Sequence, residues 1–387
     1  MIKSSSILFS QKKIGNLTLR NRFVRSAAFE GMYKKDTTPS PDLENLMKTY
    51  AKGGTGLIIT GVVNISTKTP AFPGGPIIAT DEQAKSWKKT IQGVHDEGAK
   101  ILMQINLFPN FGEHALIPSV IPGTTLPGAS ELTNSDIEYF IQEFGEAAKR
   151  ATTISGTDGV QVHCAHGAIT GIFMNPYLNR RTDKWGDPAR FVTEIVKTIK
   201  SNITNDKILS LKINGSDFVR HGNTSEDIAQ IVKALGNSVD LYEISAGHDQ
   251  MHYSRSNLDT KIYKRELKRK KLSPYDIEKE LDKAIKMYQN VPYYKNFNAD
   301  FCRVIRSINP TVNISSVGGW RNFAEMENFV KEGSSDLISL CRPLIRDPYL
   351  IKKFKEGKIS SSTCKNCGIC NLQLGLLYCH QKADSNN

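Results

Sequence analysis

Eight short runs of aliphatic and β-branched residues, separated by stretches with helical spacing, constrain this chain more than any other feature. They are residues 23–29 (FVRSAAF), 56–66 (GLIITGVVNIS), 100–106 (KILMQIN), 159–165 (GVQVHCA), 207–214 (KILSLKIN), 241–247 (LYEISAG), 312–319 (VNISSVGG) and 336–342 (DLISLCR). Most are continuously apolar rather than alternating, which is the pattern of parallel strands covered on both faces. Between them, apolar residues recur at three- and four-residue steps. Ala84, Trp87, Ile91 and Val94 form one such stripe, and Ile137, Phe140, Ile141, Phe144, Ala148 and Ala151 another. The second follows Ser135 and Glu138, spaced as a capping box. A third stripe, from Phe191 to Ile199, follows Asp187-Pro188, read as a cap and an N1 proline. Two more end at Gly236 and Gly333, where a left-handed residue closes a helix.

Eight strands alternating with helices predict an α/β fold, the closed (β/α)8 TIM barrel, with an open doubly wound sheet as the alternative. No G-x-G-x-x-G follows a strand, so a Rossmann dinucleotide domain has no support. Residues 248–293 exceed an ordinary connection and predict a long insertion after strand six, helical over 267–289 apart from Ser273-Pro274. The expected division is a barrel over 1–356 and a cysteine-containing tail over 357–387.

Seven cysteines, four of them between residues 364 and 379, argue against a disulfide framework. No apolar run reaches the roughly 18 residues of a membrane span. The first residues lack the long apolar stretch of a secretion signal, so a cytoplasmic location is expected. The net charge of +12 suggests anionic partners, although residues 261–271 (KIYKRELKRKK) hold seven of the basic groups. That segment follows strand six and is expected either as a lid attracting phosphates or, more plainly, as a solvated helix face.

Barrels carry their chemistry at strand C-termini and often grip phosphate after strands seven and eight. Strand seven here ends in Gly318-Gly319 and strand eight in Arg342, which together favour a phosphorylated cofactor over an ordinary turn and a surface arginine. Strand four ends in His163-Cys164-Ala165-His166. Two histidines three apart at a strand-to-loop junction can aim two N–H donors at one oxygen and hold developing negative charge; a metal pair is the other reading.

With these residues in place, the sequence resembles the Old Yellow Enzyme family, the NADH:flavin oxidoreductases. The resemblance spans roughly residues 7–356. It is carried in order by 13–28 (KIGNLTLRNRFVRSAA), 163–167 (HCAHG), 173–186 (FMNPYLNRRTDKWG), 317–319 (VGG) and 340–348 (LCRPLIRDP). It implies FMN over the barrel mouth, contacted by Ala27, Ala28 and Gly61. Gln104 would bond its pyrimidine edge, and Lys212 would stand near flavin N1/O2 to stabilise the anionic reduced ring. Gly318, Gly319 and Arg342 would hold the phosphate, with Cys341 where a glycine is usual. His163 and His166 would bind the substrate oxygen. NAD(P)H would reduce the flavin, leave, and be replaced by a small electrophile such as a quinone, an enone, a nitro compound or a flavin. Two departures stand out. Ala168 replaces the family's tyrosine proton donor, leaving Tyr177, Tyr33 or water; Phe29 replaces a hydroxyl or thiol near the flavin.

The tail, Cys364-x2-Cys367-x2-Cys370-x8-Cys379, is similar to the iron–sulfur run of larger relatives but more tightly spaced. It implies an iron–sulfur cluster or zinc, against a plainer reading of unligated thiols. The alternatives carried forward are an RNA-modifying FMN barrel of the tRNA-dihydrouridine synthase kind, for which no RNA-binding domain is evident, and a non-catalytic flavin-binding protein.

Overall fold

A computed structural model describes residues 5–69, 74–108, 115–121, 128–218, 221–247, 256–289, 293–372 and 376–381. The eight predicted runs all form strands. They are β1 (Phe23–Arg25), β2 (Leu57–Asn64), β3 (Lys100–Asn106), β4 (Gly159–Cys164), β5 (Ile208–Asn214), β6 (Leu241–Ser245), β7 (Ile314–Val317) and β8 (Leu337–Leu340). Each pairs in parallel with its sequence neighbours, and β8 pairs with β1 to close the ring. The open sheet is thereby excluded.

Helices between the strands supply the outer layer. Asn134–Lys149 carries its predicted stripe inward, with Ile137, Phe140, Ile141 and Phe144 buried. Its cap differs from the expected one. Thr133 Oγ1 accepts from Asp136 N at 3.1 Å, and the Asp136 carboxylate accepts from Thr133 N at 3.0 Å. An aspartate at the third position closes the capping box as well as a glutamate does, and starts the helix two residues earlier. Arg190–Asn202, by contrast, lacks a side-chain cap, because Asp187 instead accepts from Ala189 N in the turn before it. Gly236 and Gly333 do adopt positive φ at helix ends, as expected. Pro41–Lys52, capped by Ser40 with proline at its start, and Ala299–Ile308 were not singled out by the sequence reading.

The barrel interior divides into two zones. At the strand N-termini, a hairpin of Lys12–Ile14 and Leu17–Leu19 plugs the opening. Its Ile14, Leu17 and Leu19 pack with Val24, Leu57, Ile59, Leu102, Ile208, Leu241 and Leu337. Towards the strand C-termini the inward positions turn polar: Gln104, Gln161, Ser210, Lys212, Glu243, Ser315 and Ser339 are all buried. Alternate residues of a strand share a face, so this change follows from sequence steps of two. After β6, helices Thr260–Arg269 and Pro274–Gln289 share a small core, Tyr263, Leu267, Ile277 and Ala284, with Ile369 of the tail.

Leu19 is fully buried in the plug. Leu19→Ala is expected to cost about 2–5 kcal/mol, by lost burial plus the cavity left behind. Denaturant unfolding checks this, and an unchanged midpoint would contradict the plug's contribution.

Candidate active site

One cleft lies over the strand C-termini and encloses about 1160 Å3, counting the solvent at its mouth. It gathers Ala27, Ala28, Gln104, His163, His166, Lys212, Gly318, Cys341 and Arg342 from six different strands or the residues just past them. Gly61, Gly319 and Tyr177 do not line it.

The floor is a continuous polar chain. Gln104 Nε2 donates to Gln161 Oε1 at 2.7 Å, and Gln161 Nε2 donates to Ser210 Oγ at 3.2 Å and Glu243 Oε2 at 3.4 Å. Lys212 Nζ pairs with Glu243 Oε2 at 3.2 Å and donates to Ser26 Oγ at 3.0 Å. Glu243 is fully buried beneath the cleft, whereas Lys212 reaches its surface.

The histidine pair stands to one side, the ring centroids 5.2 Å apart and inclined at 67°. His166 takes a positive φ of 57° and donates its backbone N–H to Gly247 O at 3.2 Å. Such a conformation is uncommon for a residue with a Cβ and, where it occurs, concentrates at functional sites. Its Nε2 lies 2.8 Å from Ser245 Oγ, a bond that orients the ring. Burial, aided by the Lys212 charge, holds the His163 imidazolium down to a pKa of about 3, so this ring is neutral at physiological pH. Its Nδ1 is buried and has no protein partner.

At the far end, Gly318 and Gly319 take φ of 119° and 80°. A Cβ on Gly318 would come within 2.7 Å of the Phe297 ring, and one on Gly319 within 2.4 Å of Asn296 N. Both the backbone conformation and the close approach of residues 296–297 therefore require glycine. Arg342, beside this turn, donates to Ser256 Oγ at 2.6 Å.

The sequence profile of the NADH:flavin oxidoreductase / NADH oxidase family matches residues 7–275. The chain belongs to that family. It is 31% identical to an NADH oxidase of Thermoanaerobacter brockii over 94% of its own length and 53% of that protein's, so it spans about half of that relative. It is 26% identical to a 4,4'-dithiodibutanoate disulfide reductase of Rhodococcus erythropolis, across 94% of this chain and 92% of the other. Among solved structures, a 2-naphthoyl-CoA reductase in complex with 2-naphthoyl-CoA superposes with a TM-score of 0.80 at 22% identity, covering 96% of this chain and 56% of that one. At that identity the likeness speaks for the fold. The family assignment sets aside the RNA-modifying barrel.

The cleft fits the family's FMN. An inner wall offers a buried cation and an amide, one imidazole nitrogen is left without a protein partner, and a glycine turn and a guanidinium stand at the other end. Gly61, expected at the ring, lies outside the cleft lining: its N–H donates to Glu30 Oε1 at 2.9 Å, and a Cβ there would lie 2.0 Å from Glu30 Oε2. Glu30 also pairs with Arg25 at 2.9 Å, both side chains essentially buried, and accepts from Tyr33 Oη at 2.9 Å. Tyr33 is thus committed to a carboxylate, and its phenol is pushed well up by burial and that negative charge. Tyr177 stacks on His221 at 6.1 Å under the Arg180 guanidinium.

Several cleft residues escaped the sequence reading. Ser26 lies one step from Ala27 and Ser245 ends a predicted strand, while Gln161 and Glu243, beneath the cleft, occupy polar positions in otherwise apolar strands. Phe297 and Asn298 come from the turn just past the insertion, Cys370 and Leu377 from the tail, and no spacing rule leads to them.

The tail folds back onto the barrel. Leu377 N donates to Glu30 O at 2.9 Å, and Arg321 Nε to Cys364 O at 3.2 Å. Cys364, Cys367, Cys370 and Cys379 line one small cavity with Arg342 and His380. Even so, among the described residues no three His, Cys, Asp or Glu side chains stand in an arrangement that holds a metal. Burial raises the Cys370 and Cys367 thiols. Of the basic segment, Arg265 and Arg269 pair with Glu266, and Lys264 with Glu278. None of residues 261–271 lines the cleft; Tyr263, Glu266 and Leu267 of this segment are buried, Tyr263 and Leu267 against the following helix and Ile369 of the tail. Among the described residues no helix is long and apolar enough to cross a membrane.

Because the His163 pKa falls from 6.5 to about 3 on folding, the unfolded chain binds a proton between those values that the native state refuses. This group therefore withdraws stability as pH falls below about 6.5, and withdraws no more below about 3. Imidazole NMR signals of His163 that stay flat between about pH 5 and 8 are expected; a midpoint near about 6.5 would contradict its burial.

Proposed function

We propose that this chain binds FMN in the strand-end cleft and catalyses NAD(P)H-dependent reduction of small electron-poor molecules. The reading is carried by the cleft's polarity: a buried ammonium at one end, a glycine turn with a guanidinium at the other, and two imidazoles at the side. When bound, FMN supplies a ring that accepts hydride from reduced nicotinamide and returns it to an acceptor. Lys212 and Gln104 would fix the pyrimidine edge, the ammonium offsetting negative charge that gathers there. Gly318, Gly319 and Arg342 would hold the phosphate, the first two through backbone N–H groups. Ala27 and Ala28 would flank the ring, with Cys341 alongside.

His163, neutral and missing one partner, would donate to an acceptor oxygen, and His166 would do so in the orientation that Ser245 sets. Nicotinamide and acceptor would take the same place in turn, a ping-pong order. At the family's proton-donor position Ala168 is buried and carries no exchangeable proton. With Tyr33 bound to Glu30 and Tyr177 outside the cleft lining, acceptors that take protons from solvent, such as quinones and nitro compounds, suit this site better than enones.

The tail cysteines would hold zinc or an iron–sulfur cluster in a structural role. Loading requires deprotonating the Cys367 and Cys370 thiols, which burial raises, and drawing the four side chains together, so binding would be strongly pH-dependent.

Two measurements test these readings. Anaerobic NADH or NADPH should bleach the yellow protein, and a quinone should restore the colour faster than an enone; a flavin that neither reductant bleaches would contradict the catalytic reading. Metal analysis of the full chain should find zinc or iron that is lost in Cys367→Ser; equal metal content in both would remove the tail from the assignment.

A further inference from the structure

Lys212 does not act alone. β4, β5 and β6 place His163, Lys212 and Glu243 side by side in register, one residue on each strand. Glu243 is fully buried, does not line the cleft, and has one oxygen, Oε2, on the ammonium at 3.2 Å; its Oε1 has no protein partner. The same Oε2 accepts from Gln161, which in turn accepts from Gln104. A buried lysine with no counter-charge tends to lose its proton, because desolvation penalises the charged form.

We propose that Glu243 is a positioning residue that keeps Lys212 protonated and aimed at the pyrimidine edge before any negative charge arrives there. The inference rests on the flavin reading of the cleft. The alternative is that the ion pair merely fills the barrel and that Lys212 keeps its proton unaided.

The other groups facing Lys212 hold their charge state across neutral pH. Ser26, on the β1 side, does not titrate there. His163, from β4, is neutral down to about 3. Cys341, past β8, feels the Lys212 charge, but burial raises its thiol. The Arg25 and Arg342 guanidiniums lie beyond it and keep their protons. His166 lines the same cleft in wild type and variants alike, so a difference in proton uptake between them at about pH 7.5 to 9.5 reports on Lys212.

The flavin midpoint potential against pH reads this directly. Reduction adds two electrons and one proton, leaving one negative charge at the pyrimidine edge. If Lys212 is already charged, one proton per two electrons is taken up, and the potential falls about 30 mV per pH unit. If Lys212 is neutral beforehand, the new negative charge draws a second proton onto it, and the slope becomes about 60 mV.

The wild-type protein should follow the shallower line and Glu243→Gln the steeper one above the lysine's lowered pKa. Adding Lys212→Arg to Glu243→Gln should restore the shallow slope, because a guanidinium keeps its proton; a purely structural role for Glu243 predicts no such reversal. Glu243→Met, apolar and of similar length, carries the test with the same doubled slope should the glutamine variant not fold. A shallow slope in Glu243→Gln, or a steep one in wild type, overturns the inference. A wild-type protein that takes up no FMN defeats the flavin reading instead, and is distinguished at once by its colourless spectrum.

Discussion

Closure of eight parallel strands into a ring is the constraint on which the rest depends. Once β8 pairs with β1, every second residue of each strand must point into a space too narrow for water and too wide to leave empty. The chain fills its lower half with aliphatic side chains and an N-terminal hairpin, and its upper half with Gln104, Gln161, Ser210, Lys212 and Glu243. Burying that many polar groups is costly unless they satisfy one another. They do so as a connected chain, from the Gln104 amide to the Lys212 ammonium and on to Ser26. A buried ion pair of this kind contributes little net stability, since desolvation offsets the attraction. Its retention at the cleft floor fits a demand for charge at that position rather than a demand for a firmer barrel.

The same layering explains how the cleft acquires two ends of different character. Strands β3 to β5 supply an amide, the His163 imidazole and an ammonium from ladder positions, where a side chain is held by neighbours on both sides. The glycine turn after β7 and Arg342 after β8 contribute backbone N–H groups and a guanidinium from just beyond the ladder. The turn past the insertion packs on this second end, with Phe297 against Gly318, and the tail folds onto the barrel with Leu377 bonded to Glu30. The site is therefore built on rigid strands and covered by segments that pack on one another around Tyr263, Leu267 and Ile369.

The sequence made the strands and most cleft residues legible because both follow local rules. Parallel strands announce themselves as apolar runs, and barrel chemistry sits at their ends, which leads directly to His163, Gly318 and Arg342, whereas Lys212 followed only from the resemblance to the family. Glu243 was harder, since a single acidic residue in LYEIS looks like an exposed position until the ring shows that it points inward. The capping box at Thr133 was misplaced by two residues because Ser135 and Glu138 satisfy the same spacing. Phe297, Cys370 and Leu377 depend on how the insertion and tail fold back, a long-range matter that no periodicity encodes. The tail cysteines sit between these cases: their spacing is plain in the sequence, and their shared cavity emerges only from packing.

The central claim is that the cleft reads both ends of FMN, and a comparison of FMN with riboflavin tests it most directly. Riboflavin keeps the ring and lacks the phosphate, so the affinity gap isolates what Gly318, Gly319 and Arg342 do. Charge-assisted hydrogen bonds of this kind are each worth about 1.5–3 kcal/mol, so wild type should prefer FMN by roughly tenfold or more. Arg342→Ala should close most of that gap while leaving riboflavin affinity nearly unchanged. Equal affinity for the two ligands in wild type, or a gap that survives the loss of Arg342, would contradict the account.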